Sequence, residues 1–194
     1  VLLNVLAAPD PADPATAAQG GLPEQLGKVI AEAEVALDTD AKLAASMSKA
    51  GNVLVPSVFQ LGVPQGRPDN PLPAYALKSA VDETNNFSLP AIRGQQPIEQ
   101  IGAAAAGIAH LNQLPDVDGA VRQEPLLINY YGKAVPSMSL LVAAKSLNLG
   151  PADIKLNVGE SVQIGKLMVK TDESALMLPQ FYKGKDGRPA FAVD

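Results

Sequence analysis

A single histidine, His110, and a knot of charge at 116–122 hold most of the chemistry open to this chain of 194 residues. With one histidine and no cysteine, it can build neither a multi-His zinc site nor a thiolate site, and it has no thiol nucleophile. His110 could act as base to one of the serines, as in a hydrolytic triad. Against this, no Gly-x-Ser-x-Gly elbow occurs, and His110 sits in the apolar run "GIAHLNQL", where a hydrogen-bonded structural histidine is the commoner use. The carboxylate pairs Asp116/Asp118 and Glu32/Glu34 are of the type used in acid–base work, although surface solvation explains both more simply. No Walker-type loop and no Gly-x-Gly-x-x-Gly follows a strand. No catalytic, metal-binding or cofactor-binding residue is therefore expected.

The knot itself reads "PDVDGAVRQEP". It has two acidic positions and the glycine of a calcium loop but lacks the third ligand position and the distal glutamate, so a tight Asp–Gly turn is the better reading. Arg122 lies four positions after Asp118, across the turn, where a forked guanidinium–carboxylate pair would pin the strand to its loop. A ligand carboxylate taking the place of Asp118 is the sharper alternative. Tyr130 and Tyr131 straddle a hairpin turn, and a period of two sends their rings to opposite faces, one to the core and one exposed. The exposed ring and Arg122 are candidates for lining a ligand cleft. "NFS" at 86–88 fits a glycosylation acceptor, a triplet that also arises by chance.

Composition narrows the class. The chain is 47% hydrophobic and only 4% aromatic, so its core must be built largely from Ala, Val, Leu and Ile. A formal net charge of -5 without a basic stripe argues against a nucleic-acid partner and against an anionic lipid surface. No apolar run approaches the length of a membrane span. The chain opens in mid-strand with "VLLNVLAA", as a piece excised from something longer would, and its length suits one domain, 1–194, trimmed at both ends.

The elements follow from periodicity. "VLLNVL" reads as a buried strand that exits through a Pro- and Ala-rich loop. Leu26, Val29, Ile30, Ala33 and Leu37 mark one face of a helix that starts at Pro23. "DTDAKLAASMSKAGN" is a second helix, capped by Asp38 or Thr39, with Leu43 and Met47 inward and a stop at Gly51. "NVLVPSVFQLG" is a strand in which Pro56 implies an edge or a bulge. The proline-rich stretch 61–97 is the least regular part and the natural place for a functional or mobile segment. A short helix from Pro97, the strand "AVRQEPLLINY", a "YYGK" hairpin turn and a helix with Leu140, Leu141, Ala144 and Leu147 on its apolar face come next. "IKLNV", "SVQIG", "KLMVKT" and "ALMLPQFY" then alternate with period two as a β-meander. The whole is α/β, with α+β open: a mixed sheet flanked by helices, with a C-terminal β-meander.

"LPDVDGAVRQEPLLINYYGKAVPSMSLLVAAKSLNLG", residues 114–150, resembles the signature block of the second type of CHASE domain, the cyclase and histidine-kinase associated sensory extracellular family. Asp116, Asp118, Gly119, Arg122, Pro125, Leu126, Gly132, Pro136 and Ser139 stand where that pattern asks. "VLLNVLAAPDP", "DTDAKLAASMSKAGNVLVP", "IGAAAAGIAHLN" and the meander are similar to further parts of the family, while 61–97 matches least. The family's first helix after a membrane span and its final strand have no counterpart here, which would leave a sheet edge open to pairing between copies.

The resemblance implies a non-catalytic sensor on the periplasmic or extracytoplasmic side of a bacterial inner-membrane protein. Its parent would carry a cyclase, protein kinase or cyclic-dinucleotide enzyme as output. The partner it implies is an unidentified small-molecule or protein stimulus, with a homodimer open and no nucleic acid. The motif residues are implied to be structural. Two rival classes remain: a soluble extracytoplasmic hydrolase using His110 and a serine, and a structural assembly module.

Overall fold

The structure, a computed structural model, describes residues 22–83 and 87–181. The expected opening strand and most of its exit loop, Asn86 of the "NFS" triplet and the end of the last meander piece lie outside these residues. The chain falls into two compact units, Val1–Leu43 and Ala44–Asp194.

In the first unit, helix α1 (Leu22–Leu37) is followed closely by α2 (Thr39–Ala50), which runs on into the second. Asp38 caps α2 by accepting the Ala41 N–H at 2.8 Å. Leu26, Val29, Ile30 and Leu37 of α1 are all exposed, so the periodicity revealed a face without revealing what covers it. In α2, Met47 is buried as expected, but Leu43 is exposed and Ala44 takes the inward place. Gly51 ends the helix with φ +69° and donates its N–H to the Met47 carbonyl.

The second unit is built on a mixed, curled six-stranded sheet in the order β2-β8-β7-β3-β1-β4. Its strands are β1 (Leu54–Leu61), β2 (Val81–Asp82), β3 (Leu89–Gln95), β4 (Gly107–His110), β7 (Leu127–Tyr130) and β8 (Lys133–Pro136). The strand β1 pairs with β4 through residues 54–57 and with β3 through 58–61. Pro56 therefore sits in the half where β3 has not yet joined, and its missing N–H breaks no ladder there. A bridge between His110 and Ser137 links the end of β4 to the residue after β8, which curls the sheet toward closure.

Two strands were not legible as such. The central strand β3 lies inside the stretch read as irregular, because Pro90, Arg93 and Gly94 hide its alternation. "AVRQEPLLINY" is two strands: β6 (Val121–Pro125) joins a separate three-stranded sheet with β5 (Leu114–Pro115) and β12 (Leu176–Met177), whereas β7 enters the large one. The break falls at Leu126, whose N–H bonds the Ala175 carbonyl and whose carbonyl takes the Ser137 N–H. The meander is thus β9 (Ile154–Asn157), β10 (Ser161–Ile164) and β11 (Leu167–Lys170), and its expected fourth piece leaves to pair with β6 as β12.

The large sheet is covered on both faces, which is why β7 and β8 read as continuous apolar runs. Along β7, Leu127 joins a core formed with Leu140, Ala144, Ile154, Val162 and Ile164, while Ile128 and Tyr130 join one with Phe59, Leu72, Ala91, Ile108 and Val135. The first core is supplied by helix α5 (Met138–Ser146) and by the meander; α5 is capped by the Ser137 hydroxyl, which accepts the Leu140 N–H at 3.2 Å. Helices α3 (Ala74–Leu77) and α4 (Glu99–Ala104) meet where Tyr75 donates its hydroxyl to the Pro97 carbonyl, and a methyl group at Gly102 would overlap the Tyr75 ring.

Candidate ligand cleft

The strand β4, "GIAH", is buried at every position and delivers His110 to the closing edge of the sheet. Beyond it, the Asn112 side chain takes over the ladder: Oδ1 accepts the Phe59 N–H at 2.8 Å and Nδ2 donates to the Phe59 carbonyl at 2.6 Å. This amide in place of a peptide holds the chain after β4 against β1, a role that a lone Asn in an apolar run does not announce. His110 Nδ1 accepts the Asn112 N–H at 3.3 Å, which assigns the ring proton to Nε2. His110 is 1% exposed and its Nε2 is buried without a partner. Burial pushes its pKa down to about 3, so the ring is neutral at physiological pH.

His110 forms part of the wall of a cavity of about 370 Å³ at the meeting of β4, β6 and the start of α5. Val121, Gln123 and Glu124 of β6 form another side, with Ser137 and Met138 beyond. A polar chain runs along it: the hydroxyls of Ser137 and Ser139 are 2.9 Å apart, and Ser139 donates to Glu124 Oε1. Ser137, which bridges to His110, is engaged in a helix cap, and His110 Nε2 bonds no serine, so the nucleophile–base contact of a hydrolytic pair is not made. What the arrangement offers is recognition: amide and carboxyl groups and apolar walls.

The "DVDG" knot forms the β5–β6 turn outside this cavity. The Asp116 N–H bonds the Ala120 carbonyl, the Gly119 N–H bonds the Asp116 carbonyl, and Gly119 takes φ +79°, the left-handed position that favours glycine. Asp118 Oδ1 accepts the Ala120 N–H at 3.1 Å, an Asx turn. Arg122 forks onto both oxygens of Asp118 at 2.8 and 2.7 Å, and its Nη1 also reaches Asp116 at 2.6 Å. Among the described residues no three metal-ligating side chains cluster.

The Arg122 fork, with help from the Ala120 N–H, holds the Asp118 carboxyl below the usual carboxylate range. Its contribution is therefore present above the unfolded carboxylate pKa and is lost as pH falls through the lowered folded value. Arg122→Ala should lower the melting temperature by a few degrees at pH 7, and thermal melts of both proteins should converge as pH falls through the lowered folded value. Equal melting temperatures at pH 7 would remove the pinning role.

Pro125 closes β6, fully buried and opposite Leu176. Gly132 (φ +86°) and Tyr131 (φ +51°) form the two central residues of the β7–β8 hairpin, both left-handed as a type I′ turn demands. Asn129 Oδ1 steadies the turn by accepting the Gly132 N–H at 2.7 Å. The same φ overturns the expectation that the two tyrosine rings part company. Left-handed backbone at Tyr131 brings its ring edge-on to that of Tyr130, with centroids 5.0 Å apart, and both pack on one core. The Tyr130 hydroxyl donates to the Asn70 carbonyl at 2.7 Å, tying down the proline-rich stretch. Neither tyrosine nor Arg122 lines the His110 cavity.

Glu83 carried no signal in the sequence. Glu83 is 6% exposed, and its carboxyl accepts the N–H groups of Phe87 and Ser88 at 2.6 and 2.8 Å together with the Ser88 hydroxyl. Its own N–H bonds the Gly132 carbonyl, so one residue fastens the approach to β3 to the β7–β8 turn.

No described helix is long and apolar enough to cross a membrane. Comparison with the curated proteins and with the solved structures gave no match. Comparison with family models matched the CHASE2 domain over residues 2–193. With nearly every residue of the chain inside that match, the protein belongs to the CHASE2 domain family of extracellular sensory domains.

Proposed function

We propose that residues 1–194 act as one sensor domain on the extracytoplasmic, periplasmic face of a bacterial inner-membrane signalling protein. The domain itself is non-catalytic. It regulates a cytoplasmic output such as a nucleotide cyclase, a protein kinase or a cyclic-dinucleotide enzyme. Family membership supports the sensory role, and the observation that carries a small-molecule stimulus is the cavity of about 370 Å³ between β4, β6 and the start of α5, lined by Gln123, Glu124 and apolar side chains. A ligand there would touch β4, β6 and the first turn of α5 together. It would shift the population of domain arrangements only as far as its affinities for them differ.

A thermal-shift screen of the chain against small polar metabolites tests this, because a ligand at 100 times its Kd adds about 2.7 kcal/mol. The expected result is a saturable hit whose stabilisation is lost on Gln123→Trp, which fills the cleft. A complete blank, or hits indifferent to that substitution, would move the stimulus elsewhere.

A second reading, assembly between copies, is favoured by the exposed apolar stripe Leu26, Val29, Ile30 and Leu37 of α1. It expects a dimer in light scattering that Val29→Glu dissociates. A native chain that stays monomeric at high concentration would end that reading.

A further inference from the structure

We propose that the join between β4 and the end of β8 is a seam that opens and closes as a unit, and that an occupant of the neighbouring cleft, touching both lips, holds it shut. This names how occupancy of the cleft acts on the sheet, and it rests on the small-molecule reading above for the occupant.

The argument starts from the end of the large sheet. β4 is its last strand, and one edge of it is zipped to β1 by the parallel ladder that joins 54–57 to 107–110. The other edge meets no ladder among the described residues. Two contacts close it there: the Ile108 N–H bonds the Ser79 hydroxyl at 2.9 Å, and His110 bridges Ser137, the residue after β8. One hydroxyl and one bridge give up less on parting than a ladder whose bonds must break together, so β4 parts from this side first. Packing across the seam is nonetheless close, with Ser79, Ile108, His110 and Ser137 all at most 2% exposed. A methyl group at Gly107 would lie 3.0 Å from a Leu141 methyl of α5 and 3.1 Å from the Ser79 hydroxyl, so the glycine is what lets both approach the strand. Closely packed but lightly bonded elements favour two discrete positions over gradual loosening.

The cleft lies across this seam. Leu111, Asn112 and Gln113 line it from the β4 side, and Ser137 and Met138 line it from the α5 side. Parting of the lips draws these walls away from each other, so a body that touches both binds the closed form more tightly and shifts the population toward it. Ser137 is also the cap of α5, which carries the position of the seam into that helix.

Backbone alternation supplies an internal control. The Ala109 carbonyl accepts the Ser57 hydroxyl of β1, whereas the Ile108 N–H is turned to the seam, and both residues are 0% exposed. Neither amide exchanges with water unless the structure opens. Amide hydrogen exchange of the native chain at pH 7, followed residue by residue by NMR, should protect Ile108 at least about thirtyfold less than Ala109. Ser79→Ala should widen that ratio by about tenfold. Gln123→Trp and Val121→Phe, each filling the cleft from β6, should slow Ile108 exchange by about tenfold and leave Ala109 unchanged.

Equal protection of Ile108 and Ala109 would mean that β4 leaves the sheet only as a whole, and would overturn the seam. An Ile108 rate that the cleft-filling variants leave unchanged, or raise, would overturn the hold of the cleft on it. The two readings fail separately. A metabolite hit beside equal protection leaves a sensor without this device. Unequal protection that the filling variants reduce, beside a screen without hits, leaves the device and removes the metabolite stimulus.

Discussion

Lowering the pH from 7 to 4 should cost the native chain about 3 kcal/mol through His110 alone. The folded ring, neutral and buried, has its pKa pushed down to about 3, whereas an unfolded histidine titrates near 6.5. As pH falls, the unfolded chain takes up this proton first. The stability is therefore complete above the unfolded value and drains away between there and the folded one. Urea unfolding of the native chain and of His110→Asn, at pH 7, 5.5 and 4, isolates the effect, since all other titrating groups are shared. Asn can still accept the Asn112 N–H through its own oxygen. It should start less stable for its lost volume and then close the gap with, or overtake, the native chain in acid. A gap that stays constant with pH would mean that the ring is solvated in the folded protein.

Glu83→Ala should be about as damaging, at roughly 3 kcal/mol, which for a chain of this size lowers the melting temperature by about 6–12 °C. The substitution removes a buried acceptor from two backbone N–H groups and one hydroxyl at once. The Ser88 site is 1% exposed, so water cannot easily take its place. Glu83→Gln keeps one oxygen for the two N–H groups and should fall about midway. An Ala variant that melts within a degree of the native chain would show that the approach to β3 is held by packing alone.

These two side chains mark the limit of what could be read in advance. Helices α1, α2 and α5, the I′ hairpin and the Asp–Gly turn were legible because each is local: caps, turn glycines and a regular period lie within a few residues. The mixed sheet with flanking helices followed from the order of those elements. β3 was not legible, because a strand paired on both sides is stabilised by its neighbours and tolerates Pro90 and Gly94 in its own sequence. The break between β6 and β7 was hidden for the same reason: it is set by Leu126 meeting Ala175 and Ser137, partners distant in sequence.

The candidate site was legible only in part. His110 and the Asp116–Asp118–Arg122 knot stood out by residue type, but the cavity joins His110 to Gln123, Glu124 and Ser137, which carry no motif. Tyr131 was misplaced by a rule of alternation that ends at the first left-handed residue. Glu83 and Asn112 were missed because a carboxylate or amide that closes on backbone groups looks, in sequence, like any surface residue.

Conversion of cleft occupancy into a signal can be read in the output activity of the intact signalling protein in membrane vesicles. That activity is titrated with whichever compound stabilises the isolated chain through the cleft. A change in output is expected whose half-maximal concentration matches the Kd measured on the chain, since affinity and population shift are linked. An output that stays flat while the cleft is saturated would contradict it.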